Sequence, residues 1–284
     1  MSPPPIPQLL ISHWELAIPL DIGAAAVAGL YIWGTTRVRS RWPIRRTCSF
    51  LAGIGCVLLA LQSGIGAYDD RLLTVHMIQH LMLLLPAPML LLLGRPVVLA
   101  LKVLRGPARA RVARALVKAK SLAHPLLCLA AFYVVVVGTH LPAFFDAAVA
   151  HPAVHELMHA LYLGAGLLFL WPIMGESVIA RRLGGVQTLV YVMAAMPSCA
   201  LVGGYLNRYP SVMYSPYAAT TRALGLDPVA NQQYAGALMW VGAHVVLAAL
   251  ALAGMLAGLL AEERRQKARD AFEAGAAARG AILR

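Results

Sequence analysis

Long apolar runs recur along this chain, and a bundle of membrane helices is the fold that accommodates them. A helix needs about 20 apolar residues to cross the hydrocarbon layer of a membrane. Charged residues are only 13% of the 284 residues, against roughly 25% in a soluble domain. We therefore predict an all-α, polytopic membrane protein, a seven-transmembrane-helix bundle that forms a single membrane domain. The predicted helices cover residues 15–35, 47–66, 72–93, 122–141, 152–173, 184–206 and 231–260, followed by a basic cytoplasmic tail at 261–284.

Basic residues cluster at one end of this predicted bundle. Of the 24 Lys and Arg residues, 21 lie after the first, third and fifth predicted helices or in the tail. The positive-inside rule therefore predicts that the N-terminus is outside and the C-terminus is cytoplasmic. The same placement argues against nucleic acid as the partner of the net charge of +12. The basic stretch 95–120 fits contact with the anionic inner leaflet of the lipid bilayer instead.

Two pairs of histidines lie inside predicted spans, where ionisable residues are costly to bury and usually functional. His76 and His80 belong to the third predicted helix, and His155 and His159 belong to the fifth. A spacing of four residues places both imidazoles of a pair on one helix face. In the predicted topology both pairs lie near the outer membrane face at matching depth. We expect the two faces to meet and to form a metal or haem site.

Copper is the metal that the surrounding residue types favour. Imidazole binds copper, zinc and iron, whereas a thioether sulfur favours Cu(I). The four cysteines stand apart along the chain, so the sequence indicates neither a thiolate site nor a disulfide framework. His151 also lies at the outer end of the fifth predicted helix, and methionines lie on the fifth and seventh. The predicted copper ligands are His76, His80, His155, His159, His151, Met158 and Met239.

The segment His155-Glu156-Leu-Met-His159 also spells HExxH. In helical zinc proteases this motif supplies two zinc ligands and a glutamate that acts as the general base. An intramembrane metalloprotease is therefore an alternative function. It needs a third ligand from another element. The acidic candidates lie in no recognisable ligand motif: they are Asp21, Asp69, Asp70 and Asp146.

Two further alternatives stay open at this point. A haem-binding membrane protein would use bis-imidazole ligation between the third and fifth predicted helices. A copper permease would use a path along the third predicted helix, which Pro86 and Pro88 are expected to kink, and past His244 in the seventh. The outer loop 207–230 contains Tyr214 and Tyr217, and it either caps the histidine cavity or belongs to the interfacial aromatic belt.

Several motifs together resemble a known family of membrane proteins. They are His76-Met-Ile-Gln-His80 followed by Gly94-Arg95-Pro96, Arg41-Trp42-Pro43-Ile-Arg45, His151-Pro152 with His155, His159 and Trp171-Pro172, and Gln232-Gln233-Tyr-Ala-Gly236-Ala-Leu-Met239-Trp240. This set resembles the seven-helix CtaG-type cytochrome c oxidase assembly factor family, over residues 14 to 260. One departure is Asn231, because the family often has Asp before the Gln-Gln pair.

The resemblance implies a role in maturing a haem–copper oxidase of the respiratory chain, in a bacterial inner (plasma) membrane. It implies a metallochaperone rather than an enzyme, with copper supply to the oxidase metal centre as the process served. The implied partners are an oxidase subunit or a soluble copper chaperone. On this resemblance, His76, His80, His155 and His159 correspond to the copper-handling or structural polar core of the family.

Overall fold

The computed structural model describes residues 13–175 and 182–282, with side chains as far as residue 273. All regular secondary structure in this part of the chain is helical. Six helical segments are long and apolar enough to cross a membrane, and a seventh results if one bent helix pair counts as a single span. The predicted all-α, polytopic membrane fold is therefore confirmed, with six to seven spans.

The helices of the described residues are numbered here in chain order. They are α1 (Ile18–Arg37), α2 (Ile44–Gln62), α3 (Gly64–Tyr68), α4 (Leu73–Leu84), α5 (Pro86–Leu93), α6 (Pro96–Val103), α7 (Gly106–Lys118), α8 (Pro125–Gly138), α9 (Pro142–Ala150), α10 (Pro152–Met174), α11 (Gly185–Arg208), α12 (Ser215–Ala223), α13 (Pro228–Ala237) and α14 (Ala243–Ile282). A π-helical turn over Leu238–Gly242 joins α13 to α14.

The observed elements differ from the predicted spans in three places. The third span continues beyond residue 93 as α6, and the fourth ends at Gly138, where the chain bends by 71° into α9. The residues predicted as a tail continue helix α14 as far as Ile282. Arg181 and Arg284, which contribute to the predicted basic end, lie outside the described residues.

The break in the third span has the cause expected from the sequence. Proline lacks the backbone N–H of a helical hydrogen bond, and accordingly α4 ends at Leu84 and α5 begins at Pro86. Pro88 therefore cannot donate to the carbonyl oxygen of Leu84. Helix α10 packs against this point through Gly166, where a Cβ atom would overlap that oxygen. The close approach of α4 and α10 holds the two histidine-bearing helices side by side.

The core of the bundle and its periphery differ in packing. Large side chains such as Phe132, Tyr162 and Phe169 are fully buried in the main core, which also includes residues of α4, α10 and α11. Helix α1 lies at the periphery with most of its apolar side chains exposed, as expected for a lipid-facing helix. One of its attachments is Tyr31, which stacks on Phe50 and donates a hydrogen bond to the Gly94 carbonyl.

Candidate metal centre

The structure brings the two histidine pairs together. His76 and His80 lie in the first turns of α4, and His155 and His159 lie in the first turns of α10. The ring centroids of His76 and His155 are 5.4 Å apart, and those of His80 and His159 are 6.1 Å apart. Residues that are about 80 positions apart in the sequence therefore form one cluster, at the end of the bundle where α4 and α10 begin.

A carboxylate joins this cluster. Asp69 follows α3 directly, and its Oδ2 lies 3.7 Å from Nε2 of His155 and 3.9 Å from Nε2 of His159. One ligand atom each from Asp69, His76 and His155 lie within 4.8 Å of one another. Donor atoms that share one ion at about 2 Å lie roughly 3–4 Å apart. Small side-chain movements would therefore place all three on one metal ion, and we call Asp69, His76 and His155 the donor triad.

A tyrosine from α12 fixes the tautomer of His76. The Tyr217 hydroxyl donates to the backbone carbonyl of Asp69 at 2.6 Å and lies 3.1 Å from Nδ1 of His76. Since its single proton is directed at the carbonyl, this hydroxyl accepts a hydrogen bond from Nδ1–H of His76. The Nε2 atom of His76 is then unprotonated, and it is buried without a hydrogen-bond partner in the part of the chain that the structure describes. Its lone pair is available to a metal ion.

The side-chain amide of Gln79 fixes the tautomer of His159. Gln79 donates from its amide nitrogen to the carbonyl of Ala60 at 3.1 Å, so its oxygen faces Nε2 of His159 at 2.9 Å. An amide oxygen only accepts, and therefore Nε2 of His159 carries the proton. This nitrogen orients His159 beside Asp69 but has no lone pair for a metal. The Glu156 carboxylate lies 3.7 Å from Nδ1 of His159, and its side chain is 76% exposed.

The Asp69 carboxylate lies in an environment that disfavours its negative charge. Its side chain is only 7% exposed. Burial raises the pKa of Asp69 to about 7, although a hydrogen bond with Gln79 acts in the opposite direction. A cation bound by the donor triad would offset the cost of the buried charge. The carboxylate is therefore suited electrostatically to a site that holds a positive ion.

The other predicted ligands lie outside the donor triad. His151 is exposed at the start of α10, and Met158 and Met239 are buried among the apolar side chains of the main core. His80 is buried next to His76, with its ring stacked on Tyr162. Of the seven predicted ligands, two belong to the donor triad, and the structure adds Asp69 as the third member.

Two residues of the site had only weak sequence signals. Asp69 was a candidate only as a third protease ligand, and it lies in the short turn between α3 and α4, seven residues before His76. Tyr217 lies in the loop 207–230, which was expected either to cap the histidine cavity or to belong to the interfacial aromatic belt. Tyr214 and Tyr217 are 1% and 3% exposed, so for these two residues the cap is confirmed and the belt is wrong.

Comparison with known proteins gives the family. A family model described as cytochrome c oxidase caa3 assembly factor (Caa3_CtaG) matches residues 29–259. Uncharacterized proteins of Mycobacterium bovis and Mycobacterium tuberculosis are each 29% identical over 252 residues, which cover 84% of this chain and 38% of the relative. A Mycobacterium leprae protein, also uncharacterized, is 29% identical over 235 residues, 77% of this chain and 36% of its own length.

The chain thus spans less than two fifths of the length of the curated relatives it matches. No solved structure matches it. The family match includes both histidine-bearing helices and Asp69, and it extends over most of the described bundle. The resemblance seen in the sequence motifs is confirmed, and this chain belongs to the cytochrome c oxidase caa3 assembly factor family.

Proposed function

We propose that this protein is a non-enzymatic assembly factor that binds copper at the donor triad and assists maturation of the metal centre of a haem–copper oxidase. The family supports the link to oxidase assembly. One observation carries the link to a metal: a carboxylate and two imidazoles converge at the buried start of α4 and α10. The proposal places the protein in a bacterial plasma membrane, with the donor triad at the outer face.

The donor chemistry supports copper as the cargo. Two imidazoles and a carboxylate are borderline to hard ligands, which suit Cu(II) or Zn²⁺ better than Cu(I). Among first-row divalent ions such ligands bind Cu²⁺ most tightly. The predicted thioether ligands, Met158 and Met239, are packed in the main core, so we favour Cu(II) at the donor triad over the Cu(I) site expected from the sequence. Three protein ligands leave a coordination position open, as handover to a partner requires.

The neighbouring residues prepare the site for this exchange. Tyr217 holds His76 in the tautomer that presents Nε2, and Gln79 keeps His159 turned as a donor beside the Asp69 carboxylate. His155 is the most exposed member of the donor triad, with 19% of its side chain accessible. An oxidase subunit or a soluble copper chaperone would therefore exchange copper with the site from the His155 side.

Copper retention by purified protein tests the proposal. We would load detergent-purified protein with Cu(II), remove free metal by gel filtration, and measure bound copper and its electron paramagnetic resonance spectrum. The parent should retain one Cu(II) per chain, and the variant D69N/H155L should retain none. The control is H124L, because His124 lies at the start of α8, where its ring accepts a hydrogen bond from the backbone of Leu126.

The second part of the test measures cytochrome c oxidase activity in cells. Cells that carry D69N/H155L should lose most of their cytochrome c oxidase activity, and cells that carry H124L should keep it. Copper retained by D69N/H155L at the parental stoichiometry would contradict the metal site. Full oxidase activity with copper binding abolished would contradict the proposed purpose of the copper.

The metalloprotease is a second candidate, because Asp69 offers a carboxylate close to both histidines of the HExxH segment. Two observations weigh against it. Nε2 of His159, the nitrogen that faces Asp69, donates to Gln79 and is not available as a ligand there, and the Glu156 side chain is 76% exposed. A protease requires Glu156 as its base, whereas copper handling at the donor triad does not.

A further inference from the structure

An apolar groove opens on the lipid-facing surface of the bundle between α1, α2 and α6. Its volume is about 390 Å³, within the range of small-molecule sites, and its lining residues are all apolar or aromatic. Leu99 of α6 is buried there, and a Cβ atom added at Gly34 of α1 would lie 3.2 Å from its side chain, so the two helices approach closely. Val27, Leu30 and Trp33 of α1 also line the groove and are 48–67% exposed. The groove is therefore open to the hydrocarbon layer, and its lining suits an acyl chain.

Two cations lie beside this groove, around one tryptophan. The guanidinium of Arg46 and the ammonium of Lys102 lie 4.9 and 5.8 Å from the ring centre of Trp42. The indole N–H of Trp42 donates a hydrogen bond to the hydroxyl of Tyr31 at 3.1 Å, and Tyr31 lines the groove. Residues of α2, α6 and the connection between α1 and α2 thus bring two positive charges to the wall of an apolar groove.

A third cation lies nearby, and no acidic side chain balances the three. Arg37 ends α1 and lies 5.5 Å from the ring centre of Trp33, which lines the groove. The sequence has no Asp or Glu at 22–68 or at 71–145, and none of the three cations forms an ion pair with a described residue. Asp21 of α1 is 16 residues before Arg37, which is roughly 24 Å along the helix. This end of the groove is therefore suited to a negative charge.

We propose that this groove binds one anionic phospholipid, with an acyl chain against the apolar wall and the phosphate held by Arg37, Arg46 and Lys102. In the predicted topology these cations lie at the cytoplasmic end of the bundle, where basic pockets between membrane helices bind anionic headgroups. A zwitterionic headgroup fits less well, because it adds a positive charge beside the three cations. The lipid contacts α1, α2 and α6 together, so it fastens the peripheral helix α1 to the bundle. The site is independent of copper at the donor triad.

Native mass spectrometry of the full-length protein tests the headgroup site. Detergent-purified protein would be mixed with equal amounts of dioleoyl phosphatidylglycerol and dioleoyl phosphatidylcholine. We expect the parent to retain one phosphatidylglycerol in preference to phosphatidylcholine. The variant R46Q/K102Q should lower that preference at least roughly tenfold, because each cation near an anionic headgroup strengthens binding. The control R264Q/R269Q removes two exposed cations from α14, which does not line the groove, and should keep the parental preference.

A second variant tests the acyl-chain groove without a change of charge. A100F places a phenyl ring in the groove and should lose the bound phosphatidylglycerol, since Ala100 is a lining residue. A25F is its control, because Ala25 is exposed on α1 and does not line the groove. Phosphatidylglycerol should also raise the melting temperature of the parent more than phosphatidylcholine does, and this difference should disappear in A100F.

Three results would overturn the proposal. Equal retention of the two lipids by the parent, or an unchanged preference in R46Q/K102Q, would exclude the headgroup site. Unchanged retention of phosphatidylglycerol by A100F would exclude the acyl-chain groove. If R46Q/K102Q does not fold, R37Q changes an exposed residue at the end of α1 and should still weaken the preference. An R37Q protein with the parental preference would then overturn the headgroup site.

Discussion

The two histidine pairs have the same spacing but different surroundings. In each pair one member, His76 or His155, offers a nitrogen to the donor triad. The second members differ from each other, because His159 is held by a hydrogen bond to Gln79, whereas His80 has no hydrogen-bond partner among the described residues. The comparison teaches that a four-residue spacing brings imidazoles to a site, but the partner of the second ring nitrogen decides which of them can bind a metal.

Separating the two histidine pairs should have the largest effect on copper binding and on stability. Leucine at position 166 would collide with the backbone of α4 at Leu84 and push α10 away. We expect G166L to lose copper binding and to be destabilised by at least roughly 3 kcal/mol, because the opposing atoms are backbone and cannot rotate away. Thermal unfolding in detergent measures this. G164L is the control, because no described residue outside the adjacent backbone lies within 4 Å of a Cβ atom added at that position. Equal melting temperatures for the two variants would disprove the role of Gly166.

Within the second pair, substituting His155 should weaken Cu(II) binding more than substituting His159. H155L removes a triad ligand and should abolish Cu(II) retention. H159L removes only a neighbour of Asp69, and we expect an affinity about tenfold lower, as for other outer partners of metal sites. His151 is exposed, so H151L should match the parent. Competitive Cu(II) titration ranks the three variants, and an H151L protein without copper would restore His151 as a ligand.

Removing the hydrogen-bond partner of Nδ1 of His76 should have a smaller effect on copper affinity. Y217F removes the hydroxyl that accepts from Nδ1–H of His76 while it keeps the ring. We expect copper affinity to fall by roughly 10- to 100-fold, because the imidazole loses the bond that orients it. Y234F serves as the control, since Tyr234 is 69% exposed. Unchanged affinity in Y217F would show that His76 does not depend on Tyr217.

The smallest effect is expected at Glu156. Its carboxylate approaches His159 only at 3.7 Å and is largely exposed. E156Q should therefore retain copper and support oxidase assembly within about twofold of the parent, as is usual for exposed ion pairs. Oxidase activity in complemented cells is the measurement. If E156Q binds metal normally but loses all function, the metalloprotease becomes the better account.

The sequence allows the membrane fold and the two histidine faces to be predicted, because both depend on local patterns. Apolar length gives the spans, the HxxxH spacing gives the faces, and Pro86 gives the break after Leu84. Asp69 and Tyr217 are harder to assign, since they meet His76 only after the chain has folded. Tyr217 is 141 residues from His76, and no local pattern specifies that contact. The burial of Met158 in the core likewise depends on how α10 rotates against its neighbours.

The uneven exposure of the donor triad sets an order of events for ligand exchange. His76 is fully enclosed and Asp69 nearly so, whereas His155 remains partly accessible. The Nε2 atom of His155 that faces Asp69 is itself buried, so on the proposed function an ion would reach it only past the accessible edge of this ring. In kinetic terms, movement of the His155 ring would then govern the rates of entry and exit, while the two enclosed ligands would govern how long the ion stays. A partner that competes for the His155 position would release copper quickly without any change in the enclosed pair.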